Sequence, residues 1–144
     1  MRKTYRAEGI AVSYDARLCI HAKRCVEGLP AVFDPKARPW IRPEAAAPDV
    51  IADVVRRCPT GALAFERPDG AAETADAAVT ITMDRDGPLF VRGGVRLVDG
   101  SGEAWSAGPR FALCRCGGSG NKPFCDGSHR SCGFRAAEVA RPPI

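Results

Sequence analysis

Three cysteines and a histidine, Cys114, Cys116, Cys125 and His129, fall within sixteen residues. Thiolate and imidazole are metal ligands, and the segment between them is too rich in Gly, Pro and Ser for an ordinary helix or strand. Backbone this irregular needs another source of order, which a metal centre supplies. Soft thiolates suit zinc and iron–sulfur centres about equally, so ligand chemistry alone leaves both open. Zinc ribbons usually present Cys-x2-4-Cys knuckles, whereas here Cys-x-Cys is followed by Cys-x3-His.

Each residue of the segment has a chemical task. His129 is neutral where a fourth cysteine would be charged, which raises the potential of an iron it binds. Its protonation competes with metal binding, making that bond a pH-dependent release point. Asp126 opens a turn and can accept backbone N–H bonds, and Gly127 lets the chain fold Cys125 and His129 onto one centre. Gly117, Gly118 and Gly120 permit close approach of amides, while Ser119 offers either a hydroxyl donor or a turn residue. The run Cys114-Arg115-Cys116, Ser119, Pro123-Phe124-Cys125-Asp126-Gly127-Ser128-His129 resembles the signature of the CDGSH iron–sulfur family at every position. The resemblance implies a 2Fe-2S cluster held by the four ligands, with Ser119, Asp126, Gly127 and Ser128 as cofactor-binding loop residues. Zinc is the alternative.

Cys19, Cys25 and Cys58 make a second constellation. Cys-x5-Cys followed far downstream by Cys58-Pro59 is a ferredoxin-like arrangement, with Ala22 where a middle cysteine would stand. Three thiolates most simply suit a 3Fe-4S cluster. The bland reading is three buried cysteines packing as small hydrophobes. Together with Tyr14-Asp15, Phe33-Asp34, Pro39-Trp40-Ile41 and Cys58-Pro59-Thr60-Gly61-Ala62-Leu63, the pattern resembles the divergent 4Fe-4S mono-cluster family over about residues 4–67. That resemblance implies four irons and hence a further ligand, for which His21 is the nearby candidate. Cys132 lies outside both patterns and reads as an inert thiol, with a redox-sensitive neighbour or interim ligand as the alternative.

The elements that must position these residues are short. Residues 4–14 read as a strand with a turn at Glu8-Gly9, residues 19–28 as a loop entering a short helix, and 31–43 as an extended segment. Apolar residues at Val50, Ile51, Val54 and Val55 predict a helix over 48–57, and a short strand follows at 62–66. Residues 69–77 are small, polar and without periodicity, which predicts a linker. Beyond it, 78–83, 89–91, 95–98 and 110–113 read as strands separated by Gly turns. The expected fold class is α+β: a small ferredoxin-like domain over 1–68, then a β-rich CDGSH-type domain over 78–144. Each half is small enough that bound clusters should add to its stability.

Composition narrows the function. Hydrophobic content of 45% is ordinary for a soluble chain, and no apolar run is long enough to span a bilayer. Seven cysteines, an odd number in metal-like spacings, favour a reducing interior over a disulfide framework. The expectation is therefore a soluble, cytoplasmic protein. The net charge of +4 is spread without a basic stripe, which argues against nucleic acid. Nothing in the sequence reads as a substrate pocket, a nucleotide loop or a catalytic triad, so the chain is expected to be an electron carrier and not an enzyme. One-electron transfer with a redox partner protein is the leading function. The alternatives are cluster transfer to an apo-acceptor, or a redox or pH sensor acting through His129. The CDGSH resemblance also implies a homodimer, unless the N-terminal half covers that interface.

Overall fold

The computed structural model describes residues 2–105 and 108–136. The first half is built on a hairpin of β1 (Lys3–Ala7) and β2 (Ile10–Tyr14), with Gly9 at φ 80° in its turn. Strand β2 alternates, burying Ile10 and Val12. A short helix, α1 (Arg24–Gly28), and a longer one, α2 (Pro48–Arg56), follow, and β3 (Leu63–Glu66) then pairs antiparallel with β2. Pro48 opens α2, where its missing N–H is no loss. Ile51, Ala52, Val54 and Val55 form the buried stripe of α2, packed with Val12, Leu63 and Phe65 into one core.

The segment 31–43 differs from the extended chain expected of it. It folds back on itself, with Phe33 bridged to Ile41 and the Asp34 amide donating to the Trp40 carbonyl at 2.9 Å. Asp34 also accepts from the Lys36 amide at 2.9 Å, an Asx turn that reverses the chain and sends Phe33 and Ile41 inward together.

The second half contains β4 (Thr80–Met83), β5 (Leu89–Arg92), β6 (Leu97–Val98), β7 (Ala104–Trp105) and β8 (Arg110–Leu113). Strands β4, β5 and β8 make an antiparallel sheet in that order, and β6 pairs with β7 around an Asp99 turn. The strand expected at 95–98 shortens to Leu97–Val98. The whole is a mixed, β-rich fold of few helices and small antiparallel sheets.

The halves are joined by side chains as well as by the chain. A small core of Ile20, Ala112 and Cys125, flanked by Ala22 and Phe90, takes residues from both. Residues 69–77 run between the halves with several anchors: Ala72 bridges to Glu66, the Glu73 carboxylate pairs with Arg110, and Asp76 accepts from Arg92 at 3.0 Å.

Candidate metal centres

Strand β8 delivers Cys114 from its end, and residues 115–123 loop out and return beside it. The return is fixed by backbone bonds: Cys114 N donates to Pro123 O at 2.9 Å, and Cys125 N to Ala112 O at 2.8 Å. Cys114 and Cys125 therefore emerge from neighbouring antiparallel segments. Gly127, at φ 94°, then turns the chain into a short 3-10 helix, Ser128–Arg130, which carries His129 back onto Cys125.

The four donors stand in two pairs. Cys114 Sγ and Cys116 Sγ are 3.7 Å apart, and Cys125 Sγ is 3.4 Å from His129 Nδ1. Two sulfurs on one tetrahedral metal, at bonds of about 2.3 Å, are separated by about 3.8 Å. The two thiols therefore have the spacing of two sulfur ligands on one metal, and Cys125 stands comparably close to an imidazole nitrogen. Among the described residues no three His, Cys, Asp or Glu side chains gather closely enough to hold a single metal ion.

The loop's polar groups are used to shape it. Asp126 Oδ1 accepts from the Ser128 amide at 3.0 Å and hydroxyl at 2.6 Å, and its Oδ2 accepts from the Gly120 amide at 2.8 Å. Those bonds hold its carboxyl down at about 2. Ser119 is buried, donating its hydroxyl to the Phe124 carbonyl at 2.6 Å and accepting from the Asn121 amide at 3.0 Å. Both hydroxyls are engaged within the loop. The donors that face sulfur are amides: Gly118 N lies 3.3 Å from Cys116 Sγ and Gly127 N 3.4 Å from Cys125 Sγ.

Electrostatics favour thiolate at Cys114 and neutral imidazole at His129, and the thiol form at Cys116 and Cys125. Burial alone would raise the Cys114 thiol, but amides of Ser119, Gly117 and Cys116 and the neighbouring thiol outweigh it and hold the group below its ordinary range. At Cys116 the Gly118 amide pulls down, yet burial and the adjacent thiols win and the group is raised. Burial raises Cys125. Burial, helped by the charge of Arg130, lowers His129 and favours its neutral, ligating form. Cys132 is exposed beside this centre: a methyl placed on Gly118 would lie 3.6 Å from both Cys116 Sγ and Cys132 Sγ.

The N-terminal centre is more open. Cys19 follows a 3-10 turn, Ala16–Leu18, whose cap Asp15 accepts from the Arg17 amide at 3.0 Å and is paired with its guanidinium at 2.7 Å. Cys25 sits in the first turn of α1, and Cys58 stands just beyond α2 with its amide on Val55 O at 3.0 Å. All three are free thiols lining one cavity of about 610 Å³. Its other walls include Tyr14, Trp40, Pro59 and Ala62. Burial, followed by the neighbouring Cys58, pushes the Cys25 thiol up to about 11. Burial and a hydrogen bond to Cys19 likewise raise the Tyr14 phenol. Thr60 Oγ1 lies 3.8 Å from Cys58 Sγ.

Between Cys19 and Cys25 the chain passes twice through left-handed backbone, at His21 (φ 54°) and Lys23 (φ 60°). His21 is exposed and lines the cavity. Ala22 also lines it while leaning on the small shared core. Space and soft donors therefore fit a multi-iron cluster held by Cys19, Cys25 and Cys58, with His21 at the rim.

The two centres adjoin. Ile20, next to Cys19, packs on Cys125, and a methyl on Gly127 would lie 3.7 Å from Ile20 Cα. Arg130 donates to the Ile20 carbonyl, and Asn121 to the Arg17 carbonyl at 3.2 Å. The sequence reading missed this junction and the buried Arg110–Glu73 pair. The available signal was Arg110 itself, a charged residue in an otherwise apolar strand.

Comparison with known proteins agrees with both centres. Residues 5–68 match the family described as divergent 4Fe-4S mono-cluster, and residues 86–130 match the iron-binding zinc finger CDGSH type. The uncharacterized protein YjdI of Escherichia coli K12 is 33% identical over 63 residues, 44% of this chain and 83% of that protein. YjdI of Escherichia coli O157:H7 gives the same figures. The chain is an iron–sulfur protein that belongs to the divergent 4Fe-4S mono-cluster family through residues 5–68 and to the CDGSH iron-binding type through residues 86–130.

Proposed function

We propose that this protein is a two-cluster, one-electron carrier that exchanges electrons with a redox partner protein and has no substrate chemistry of its own. The observation that carries the reading is the pairing of donors, Cys114 with Cys116 at 3.7 Å and Cys125 with His129 at 3.4 Å, which suits a 2Fe-2S cluster. When bound, the clusters supply centres that take up and release single electrons. Cys114 and Cys116 would hold one iron as two thiolates. Cys125 and His129 Nδ1 would hold the other with one charge fewer, making that side easier to reduce. The Gly118 and Gly127 amides stabilise the thiolates they face.

Cys19, Cys25 and Cys58 would hold the second cluster in a ferredoxin-like half. Three thiolates favour 3Fe-4S. The alternative is 4Fe-4S with His21 as fourth ligand, supported by the family description and by His21 at the cavity rim. Apolar Ile20 and Ala22 pack in the small core that the two halves share. Among the described residues no helix is long and apolar enough to cross a membrane.

The test is to incubate holo-protein with an apo-ferredoxin and, separately, with a reduced one. A carrier keeps its cluster absorbance against the apo-acceptor and is reduced in the second mixture. Loss of the 2Fe-2S absorbance to the acceptor would instead make the chain a cluster donor.

A further inference from the structure

We propose that Arg110 is a positioning residue of the N-terminal centre, delivered to it by the C-terminal sheet. The inference rests on the reading that Cys19, Cys25 and Cys58 hold a cluster. Arg110 opens β8, four residues before Cys114, yet every contact of its guanidinium is with the chain before that sheet. Nε donates to the carbonyl of Cys58 itself at 2.6 Å, and Nη2 donates to Val55 O and Leu63 O at 2.8 Å each. Nη1 is paired with Glu73. Side-chain exposure is 2% for Arg110 and 5% for Glu73.

These contacts have a definite chemical effect. Val55 lies in the last turn of α2 and Cys58 just beyond its end, a place where the helix's carbonyls attract a cation. Arg110 joins the Cys58 amide on Val55 O, binds the Cys58 carbonyl as well, and so fixes the turn that presents the Cys58 thiol. Gly61 confirms how closely that turn is pressed on β8: at φ 67°, it has no room for a Cβ, which would stand 2.5 Å from the Arg110 carbonyl. The guanidinium also places a desolvated positive charge against the Cys58 loop, which favours the more negative, reduced state of whatever Cys58 binds. Glu73 offsets part of that charge.

Two full-length variants, reconstituted with iron and sulfide, test this. Arg110→Met keeps the apolar stem and removes charge and donors. The N-terminal cluster should then have a lower potential and be lost to a chelator roughly tenfold faster or more, since breaking a buried pair strands its partners. The C-terminal potential should move less. Glu73→Gln leaves the carbonyl bonds of Arg110 in place and removes the offsetting charge, so the N-terminal potential should rise. A purely structural role would not give shifts of opposite sign. Unchanged N-terminal potentials in both variants, or equal shifts at both centres, would overturn the proposal. If Arg110→Met does not fold, Glu73→Gln decides alone, and no upward shift there sinks it. A wild-type protein from which Cys58→Ala removes no iron overturns the cluster reading itself. That result is distinct from a retained cluster indifferent to Arg110.

Discussion

The two centres are built on opposite plans. The C-terminal donors come from one sixteen-residue segment and stand in close pairs, with amides facing their sulfurs. The N-terminal thiols come from two distant places, Cys19 and Cys25 from one short stretch and Cys58 from beyond α2; they line an open cavity, and the Cys58 carbonyl accepts from Arg110 in the other half. The first centre is organised by local turns, the second by tertiary packing. Local organisation costs little chain entropy when the loop is short, whereas a site assembled over long separations depends on the core around it. Damage to the core should therefore strike the N-terminal centre first.

The largest expected effect is complete loss. Cys58→Ala should abolish the N-terminal cluster and leave the 2Fe-2S absorbance, read by iron content and visible spectra. Loss of both would show that the shared core of Ile20, Ala112 and Cys125 makes the centres rise and fall together. Next comes Ile51→Ala at the fully buried face of α2. It should cost about 2–5 kcal/mol in denaturant unfolding, the range for large-to-small core changes. It should also speed loss of the N-terminal cluster more than that of the C-terminal one. Equal acceleration would contradict the contrast between the two plans.

Much of this was legible in the sequence because it is local. The Glu8-Gly9 turn, the buried spacing of Ile51, Val54 and Val55, and the Cys114–His129 run all announce themselves within a few residues. What was not legible depends on distance. Arg110 stands out as a charge in an apolar strand, but nothing near it in sequence names Cys58 as its partner. Glu73 sits in a stretch of small polar residues that reads as a linker, and its burial follows only from Arg110. Residues 31–43 read as an extended segment carrying Phe33 and Trp40. The reversal rests on the Asp34 side-chain turn and on the backbone bonds that close it, Asp34 N to Trp40 O and Arg42 N to Val32 O.

A smaller effect separates ligand charge from ligand geometry. His129→Cys should keep the C-terminal cluster, lower its potential and make it less acid-labile, because a charged thiolate replaces a neutral ring. The N-terminal potential should follow only weakly, as read by redox titration of each cluster's own spectrum. Smaller still is Gly127→Ala. Its backbone at φ 94° is strained for any side chain, though a methyl there would meet Ile20 only at ordinary contact distance. About 1–3 kcal/mol of destabilisation is expected, confined to the C-terminal centre.

The central claim is that one chain carries two iron–sulfur clusters, one at each set of cysteines. It is tested most directly by measuring iron, acid-labile sulfide and zinc in anaerobically reconstituted protein, with spin resonance before and after reduction. The account predicts iron and sulfide both beyond what a single two-iron centre holds, with sulfide in slight excess of iron as a 3Fe-4S cluster requires, and little zinc. It also predicts a signal near the free-electron g value in the oxidised protein that vanishes on reduction and survives His21→Ala. A silent oxidised protein whose N-terminal cluster is lost in His21→Ala would replace 3Fe-4S by a His21-ligated 4Fe-4S cluster. Stoichiometric zinc without sulfide would contradict the claim outright.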